Sequence, residues 1–480
     1  YEIGVRLVGS EMCIRDSDMI RQIVTMALAL CVGTLHTAAQ QVTPFKAGDR
    51  VAFVGNSITD GGHYHSYIWL YYMTHFPNER MWMANCGIGG DECSNILARL
   101  DDDVFLKRPN VLTLSFGMND SGYFEYNGDN PGEFADSKVA NSRKYFLEIE
   151  KRLKEATDIR KVMIGTSPYD QTSTFNDNVF RKKNDAIRRI IAFQDSAARA
   201  DHWEFVDFNA PMLRINEEQQ AKDPTFTICG NDRVHPDNDG HMVMAYIFLK
   251  AQGMVGKPVA DVQIDARSKK VVRSVNCTVS DLTAGRRELS FSYLAESLPY
   301  PLDTIAHGWG FKRPQAQAVK MVSSLVKDIS NEQLKITGLK GNYRLTIDGV
   351  VIDTIPAQRL AQGVNLAEYR HTPQYQQACA VMALNEDRWE LERKFRDYGW
   401  LQYDFFMKKG LLHANDEHAA RVFRDGETKD GWVAARRDIY DKMIHKDVRD
   451  AYTAMMDLLV DKIYSINKPV TRRFVLTAVK

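Results

Sequence analysis

Five short apolar runs, at 51–54, 81–84, 111–116, 162–166 and 205–206, alternate with helical patterns through the first half of the chain. That alternation constrains the fold more than any other feature. The runs lack polar alternation, so the strands they form are covered on both faces, as in a parallel sheet. The stretches 65–76, 143–156, 184–198 and 240–252 carry the helical signal, and Phe146, Ile149 and Leu153 share one helical face. This βαβα order predicts a three-layer α/β/α domain with a parallel sheet (a flavodoxin-like arrangement) over 42–256.

From 258 the texture changes. Short β-type runs at 262–264, 271–275, 289–293, 333–336 and 343–347, with Asp348-Gly349 as a hairpin turn, predict a small antiparallel β module over 258–357. The remainder, 358–480, reads as a helical hairpin. Leu384, Leu391, Phe395, Tyr398 and Leu401 form one stripe. Tyr440, Met443, Ile444, Tyr452, Met455, Leu459 and Ile463 form another, beyond a Gly/Asp-rich stretch at 410–431. Both stripes read as core rather than as a ligand site. The tail 473–479 has strand character and is expected to return to the β module, which makes the hairpin an insertion.

Lys+Arg and Asp+Glu both number 62, so there is no basic excess to suggest nucleic acid and no acidic excess to suggest a polybasic partner. Residues 1–17 resemble translated sequencing-adapter read-through, and 1–18 are read as non-native. From Met19, Arg21, the apolar run 23–35 and the small residues Thr37, Ala38 and Ala39 predict a signal peptide over 19–39. The run is short for a stable membrane span, and Leu30 stands where a lipoprotein signal before Cys31 wants a small residue. Export to a periplasm or beyond is the expectation. Past that leader stand Cys86, Cys93, Cys229, Cys277 and Cys379. Their number is odd, so at least one is unpaired within the chain. No metal-ligand spacing occurs, so neither metal nor cofactor is expected. A disulfide is permitted but not predicted, and oligomeric state is not readable.

Four stretches fall after strands or before helices, where the edge of a parallel sheet collects its site. In Val51-Ala-Phe-Val-Gly-Asn-Ser57-Ile-Thr-Asp, the strand turns at Gly55 and Ser57 meets the next helix with its hydroxyl exposed. Taken alone, an ordinary N-cap serine reads the same way. Asn85-Cys-Gly-Ile-Gly-Gly90-Asp-Glu follows the second run, and its glycines either admit a ligand close to backbone N–H groups or make a tight turn. Phe116-Gly-Met-Asn119-Asp follows the third, where an amide can face a substrate oxygen or serve the turn. Asn231-Asp232-Arg-Val-His235-Pro236 precedes the last helix of the domain; its carboxylate can hold its imidazole, although a surface pair has the same spelling.

In this order the four stretches resemble blocks I, II, III and V of the SGNH (GDSL-type) hydrolases, over about 49–252. Gly55-Asn-Ser57 stands where Gly-Asp-Ser is usual, and Glu92 stands where Thr is often seen. The resemblance implies a serine esterase working through an acyl-serine. Ser57 would be the nucleophile, His235 the general base and Asp232 its orienter. The backbone N–H groups of Ser57 and Gly90 and the amide of Asn119 would form the oxyanion hole. The chemistry is coherent: an imidazole with a pKa near about 6.5 can take a hydroxyl proton at working pH. A carboxylate fixes its tautomer, and preplaced donors stabilise the tetrahedral oxyanion.

His63 and His65 stand near Ser57 in sequence, where they can line the pocket, but are read in preference as exposed loop residues. Gly61-Gly-His-Tyr64 and Gly122-Tyr-Phe-Glu-Tyr126 are placed at the cleft mouth, their aromatics stacking on sugar rings or packing the loops. An exported SGNH domain with appended modules resembles multidomain bacterial proteins of polysaccharide-degrading organisms. That implies an acylated small-molecule or polysaccharide substrate, and in particular carbohydrate O-acetyl groups. A lipid or aryl esterase stays open, as does an inert glycan-binding or scaffolding protein. The helical segment is expected to pack beside the cleft.

Overall fold

The computed structural model describes residues 41–308 and 313–479; the adapter-like stretch and the leader expected over 1–39 lie outside them. Sheet A is built from β1 (Arg50–Gly55), β2 (Trp82–Gly87), β3 (Val111–Phe116), β4 (Arg160–Gly165) and β5 (Glu204–Asp207). All its pairings are parallel, in the order β2-β1-β3-β4-β5. The chain leaves β1 toward β2 on one side and then crosses to β3 on the other. The loops after β1 and β3 therefore flank a topological switch point, where open α/β sheets bind ligands.

The helices around this sheet are α1 (Ser57–Asp60), α2 (Tyr64–His75), α3 (Cys93–Ala98), α4 (Pro131–Glu155), α5 (Lys183–Ala200), α6 (Asn209–Gln220) and α7 (Asn238–Ala251). α4 starts with a proline whose missing N–H costs nothing in the first turn, and it buries Phe146, Ile149 and Leu153. α2 is buried along its whole length. It packs on α7 and on a helix from the C-terminal segment, so it needs no polar face.

The β module is a two-sheet sandwich. Its strands are β6 (Pro258–Asp265), β7 (Lys270–Val275), β8 (Cys277–Ala284), β9 (Glu288–Ala295), β10 (Asn331–Thr337), β11 (Asn342–Ile347), β12 (Val350–Pro356), β13 (Val364–Asn365) and β14 (Arg472–Val479). Sheet B has the order β13-β10-β6-β7 and sheet C the order β12-β11-β14-β9-β8. Val262, Ile264, Leu334 and Ile336 from B meet Phe291, Leu345, Phe474 and Leu476 from C in one core. Sheet C is antiparallel throughout. The expectation of an all-antiparallel module is corrected in sheet B, where β6 and β10 run parallel. The connection 296–330 explains this. It leaves β9, crosses the α/β domain where Leu298 N donates to Thr74 O and Tyr300 joins the core, and re-enters beside β6. Such a long crossover is what parallel pairing requires. The module also runs past 357, because β13 pairs with β10.

The C-terminal helices are α8 (Pro373–Trp400), α9 (Glu417–Glu427), α10 (Arg437–Met443) and α11 (Lys446–Ile466). α8 and α11 pack along each other, and α8 also lies on α2 and β2, covering the open edge of sheet A. The first expected stripe does not mark the buried face: Leu384, Leu391, Phe395 and Tyr398 are only half-buried. The most buried face of α8 carries Val381, Asn385, Arg388, Trp389, Glu392, Arg396 and Trp400. In the second stripe Met455 is 48% exposed, whereas Tyr440 and Ile463 are buried. At the tip, Trp400, Leu401, Phe405, Phe406, Phe423 and Tyr440 form a separate core that also takes in Ile88 from the loop after β2.

One buried carboxyl sits where the sandwich meets α8. Glu332, on β10, accepts hydrogen bonds from Tyr293 Oη on β9 (2.8 Å) and from Gln374 Nε2 on α8 (3.1 Å). Its other oxygen has no hydrogen-bond partner among the described residues. Burial pushes this carboxyl up from 4.5 to about 7. A raised carboxyl pKa contributes stability that is complete below the unfolded value and is lost as pH rises through the folded one. The window here is pH 4.5 to about 7, and the loss is on the order of 3 kcal/mol. Glu332→Gln is therefore expected to gain Tm relative to the parent on going from pH 5 to pH 8. A parent-to-variant difference in Tm that is the same at both pH values would refute this.

Candidate active site

β1 delivers Ser57 through a turn fixed by Asn56, whose Oδ1 accepts from Ile58 N at 3.0 Å and caps α1. The Asn in the usual Asp position thus still performs the cap. The turn is packed tightly from the β2 side: a Cβ on Gly87 would run into the Asp60 backbone nitrogen.

The loop before α7 brings in the histidine. Asp232 Oδ1 accepts from the backbone N–H groups of Val234 and His235, each at 2.9 Å. Asp232 Oδ2 lies 2.5 Å from His235 Nδ1, and His235 Nε2 lies 2.7 Å from Ser57 Oγ. Partial desolvation works against the Asp232 charge, but the ring and backbone hydrogen bonds of His235 outweigh it and hold the carboxyl below its ordinary value. With Nδ1–H given to the carboxylate, Nε2 presents its lone pair to the serine hydroxyl. The loop is anchored from behind by Arg233, which is buried. Its guanidinium donates to the carbonyls of Asp170 (3.2 Å), Ser173 (3.0 Å) and Asn176 (2.6 Å) and lies over the Phe175 ring.

The loop after β3 supplies Asn119. Gly117 precedes it at φ 125°, a conformation closed to other residues, and turns the chain back toward β2. Asn119 Nδ2 donates to Asp91 O at 2.9 Å, and its Oδ1 accepts from Tyr123 Oη at 2.6 Å. The amide is held at both ends, and its second N–H is the one available to a substrate oxygen. Asp120 ties the two glycine-rich loops together. It accepts from Cys93 N (2.9 Å), Gly117 N (3.0 Å) and Ser142 Oγ (2.8 Å). Buried Lys183 gives its three protons to Met118 O, Ser121 Oγ and Gly122 O. Gly90, exposed and at φ 86°, lies one residue before Asp91.

Thus Ser57, His235 and Asp232 form one hydrogen-bonded line, and Asn119 is tied by its amide to the Asp91 carbonyl, one residue past Gly90. One reading of the surroundings is corrected. His63 and His65 are buried rather than exposed. His63 stacks on Trp389 of α8 at 3.8 Å and lies 2.9 Å from Glu386, while His65 hydrogen-bonds Thr59 O. Burial lowers the His65 ring to about 4, so it stays neutral at ordinary pH. Tyr64 and Tyr126 are buried packing residues, Tyr123 positions Asn119, and of these aromatics Phe124 is the one at the surface. α8 reaches the nucleophile loop directly, as Trp389 Nε1 donates to Gly62 O at 3.1 Å. The spacing of local motifs carried no signal for these partners, which lie more than three hundred residues away in sequence.

Cys86, Cys93, Cys229, Cys277 and Cys379 are free thiols. Among the described residues, the group whose ligand atoms could gather round an ion is His307, Glu386 and Glu390, within 4.8 Å of one another. It shares no residue with the Ser57 line, and His307 and Glu386 are engaged with Asp303 and His63. No described helix is long and apolar enough to cross a membrane.

The GDSL-like lipase/acylhydrolase family matches residues 53–243, from within β1 into α7. The diltiazem deacetylase C-terminal helical domain matches residues 379–468, which takes in most of α8 and all of α11. The solved structure of a gut microbial diltiazem-metabolizing enzyme is similar throughout. It shares 56% identity, covers 92% of this chain and 100% of its own, and gives a TM-score of 0.90. An acetylxylan esterase from Geobacillus stearothermophilus is 26% identical over 222 residues, which is 43% of this chain and 95% of that protein. With a serine, an imidazole and a carboxylate in line at the switch point of a parallel sheet, the chain belongs to the GDSL-like (SGNH) acylhydrolases and is an ester hydrolase.

Proposed function

We propose that the protein removes O-acetyl groups through an acetyl-serine, with acetylated carbohydrate as its native substrate class and acetylated drug-like esters such as diltiazem as further substrates. The observation that carries the reaction is the Ser57–His235–Asp232 hydrogen-bonded line. Ser57 Oγ attacks the acetyl carbonyl while His235 Nε2 takes its proton. The oxyanion is met by the backbone N–H groups of Ser57 and Gly90 and by the Asn119 amide. His235 then returns the proton to the departing alcohol, and a water activated by the same imidazole releases acetate. Asp232 stays ionised and stabilises the imidazolium.

Two similarities support acetyl as the acyl group: the relative named for metabolising diltiazem, with its deacetylase helical domain, and the curated relative named acetylxylan esterase. The apolar run 23–35 supports placing the activity outside the cytoplasm, where structural polysaccharide is met. The test is acetate release from acetylated xylan and from diltiazem, set against fatty-acid release from phospholipid, with Ser57→Ala as the blank. Acetyl release is expected to exceed fatty-acyl release at least about tenfold in kcat/KM. Faster fatty-acyl release would overturn the acetyl assignment. Diltiazem turnover with acetylated xylan untouched would overturn the carbohydrate assignment.

A further inference from the structure

The face of α8 that lies against the α/β domain carries ion pairs where apolar contacts would be expected. Arg396 is buried and makes a two-pronged contact with Asp103, Nη1 to Oδ2 and Nη2 to Oδ1, both at 2.9 Å. Asp103 Oδ2 also accepts from Arg99 Nη1 at 2.6 Å, and its Oδ1 accepts from Lys107 at 2.6 Å. Arg99 is fully buried and spends its other donors on the active site. Its Nε donates to Asp91 Oδ2 at 2.7 Å, and its Nη2 donates to the carbonyl of Gly55, the last residue of β1, at 3.1 Å. Asp91 in turn accepts the Asn119 amide on its own carbonyl.

A second relay runs in parallel. Arg393, one turn earlier on α8, pairs with Asp60 Oδ1, and Asp60 Oδ2 accepts from Gly89 N at 3.0 Å. Ile88 and Gly89 themselves rest against Gly399 and Trp400. The loop 88–91, Asn119 and the end of β1 are therefore all held by guanidinium groups that trace back to the C-terminal helical segment.

Burying charge is costly, and apolar residues of similar volume would serve adhesion as well or better. A bidentate guanidinium–carboxylate pair adds a fixed orientation that apolar contact does not supply. Burial works against the Asp103 charge, but Arg396, Lys107 and Arg99 together hold its carboxyl well below the usual range, whereas burial outweighs Arg99 at Asp91 and pushes that carboxyl up to about 7. The far end of the first relay is the Asp91 side chain, next to Gly90 in the chain and carrying on its carbonyl the Asn119 amide, and misplacement of those donors is expensive for rate.

We propose that Arg396 and Arg393 are positioning residues for the oxyanion hole, so that the helical segment acts on the chemical step and not only on substrate access. This rests on the reading of Gly90 and Asn119 as oxyanion donors.

The test uses the full chain, p-nitrophenyl acetate, and active sites counted by stoichiometric reaction with diethyl p-nitrophenyl phosphate. Arg396→Met is expected to lower kcat per active site roughly 10–30-fold, with KM changed less than about threefold, because the lost interaction is one made in the transition state. Arg396→Lys should recover part of that loss, and Arg393→Met, which leaves the other relay intact, should show a smaller loss of the same kind. In an Asn119→Ala background the Arg396→Met effect should shrink, since one of the two donors it positions is gone. Unchanged kcat per active site in Arg396→Met, or a full-sized effect in the Asn119→Ala background, would overturn the proposal. Asn119→Ala with unchanged kcat would instead refute the oxyanion reading itself. Counting titrated sites separates both from a fraction of chains that fails to fold.

Discussion

Ser57→Ala is expected to lower kcat/KM for p-nitrophenyl acetate by about 10⁵–10⁶-fold, leaving the residual rate that oxyanion donors and binding supply on their own. The size follows from the geometry. Ser57 Oγ is 2.7 Å from an imidazole already oriented by a carboxylate. Removing the hydroxyl removes the attacking atom and leaves the imidazole nothing to deprotonate but water. The change is small in volume, so folding and substrate binding should survive it. His235→Ala should cost a similar factor, and the double variant should be little worse than either single one, because the two groups act as a unit. A Ser57→Ala protein retaining more than about a hundredth of parental kcat/KM would rule out the acyl-serine route.

Asp232→Asn is expected to cost about 10³–10⁴-fold in kcat with little change in fold. Oδ1 of the present carboxylate accepts two backbone N–H groups, from Val234 and His235, and an asparagine oxygen can do the same. The other atom is where the change tells. Asp232 Oδ2 accepts from His235 Nδ1. An amide nitrogen there donates instead, which drives the ring to carry its proton on Nε2 and turns the base away from Ser57. The imidazolium formed in the reaction also loses its counter-charge. A kcat within about tenfold of the parent would show that the carboxylate does not set the tautomer.

Sheet A was readable because its central strands are covered on both faces and so appear as plain apolar runs. The four site loops were readable because each carries its chemistry within a few residues of a strand end or helix start. What the sequence hid lies in tertiary contacts. On α8, Arg388, Glu392 and Arg396 are charged and lie outside the apolar stripe, yet they are on the buried face. Their partners Asp103 and Asn85 N, and Asp60 beside Arg393, sit far upstream with no local trace of the pairing. Histidines near a nucleophile resemble loop residues until Trp389 is seen stacked on His63. α6 and β8 were also not legible. The first is mostly polar along its length, and the second is an edge strand of sheet C rich in Ser, Thr and Asp. The parallel β6–β10 pairing depends on where a long connection goes, which strand propensity does not encode.

β14 has a consequence for how the molecule is made. It is not an edge strand: it lies between β9 and β11, hydrogen-bonded to both. Sheet C therefore stays split in two while the ribosome is still making the helical segment, and it closes only after residue 479 has been added. Until then β9 and β11 each show an open edge to whatever else is in solution, a hazard for a chain waiting on distant contacts. Once β14 slots in, the helical segment is fastened to the sandwich at both ends, by β13 and by β14. It then behaves as a clamp bolted at two points rather than a tethered appendage.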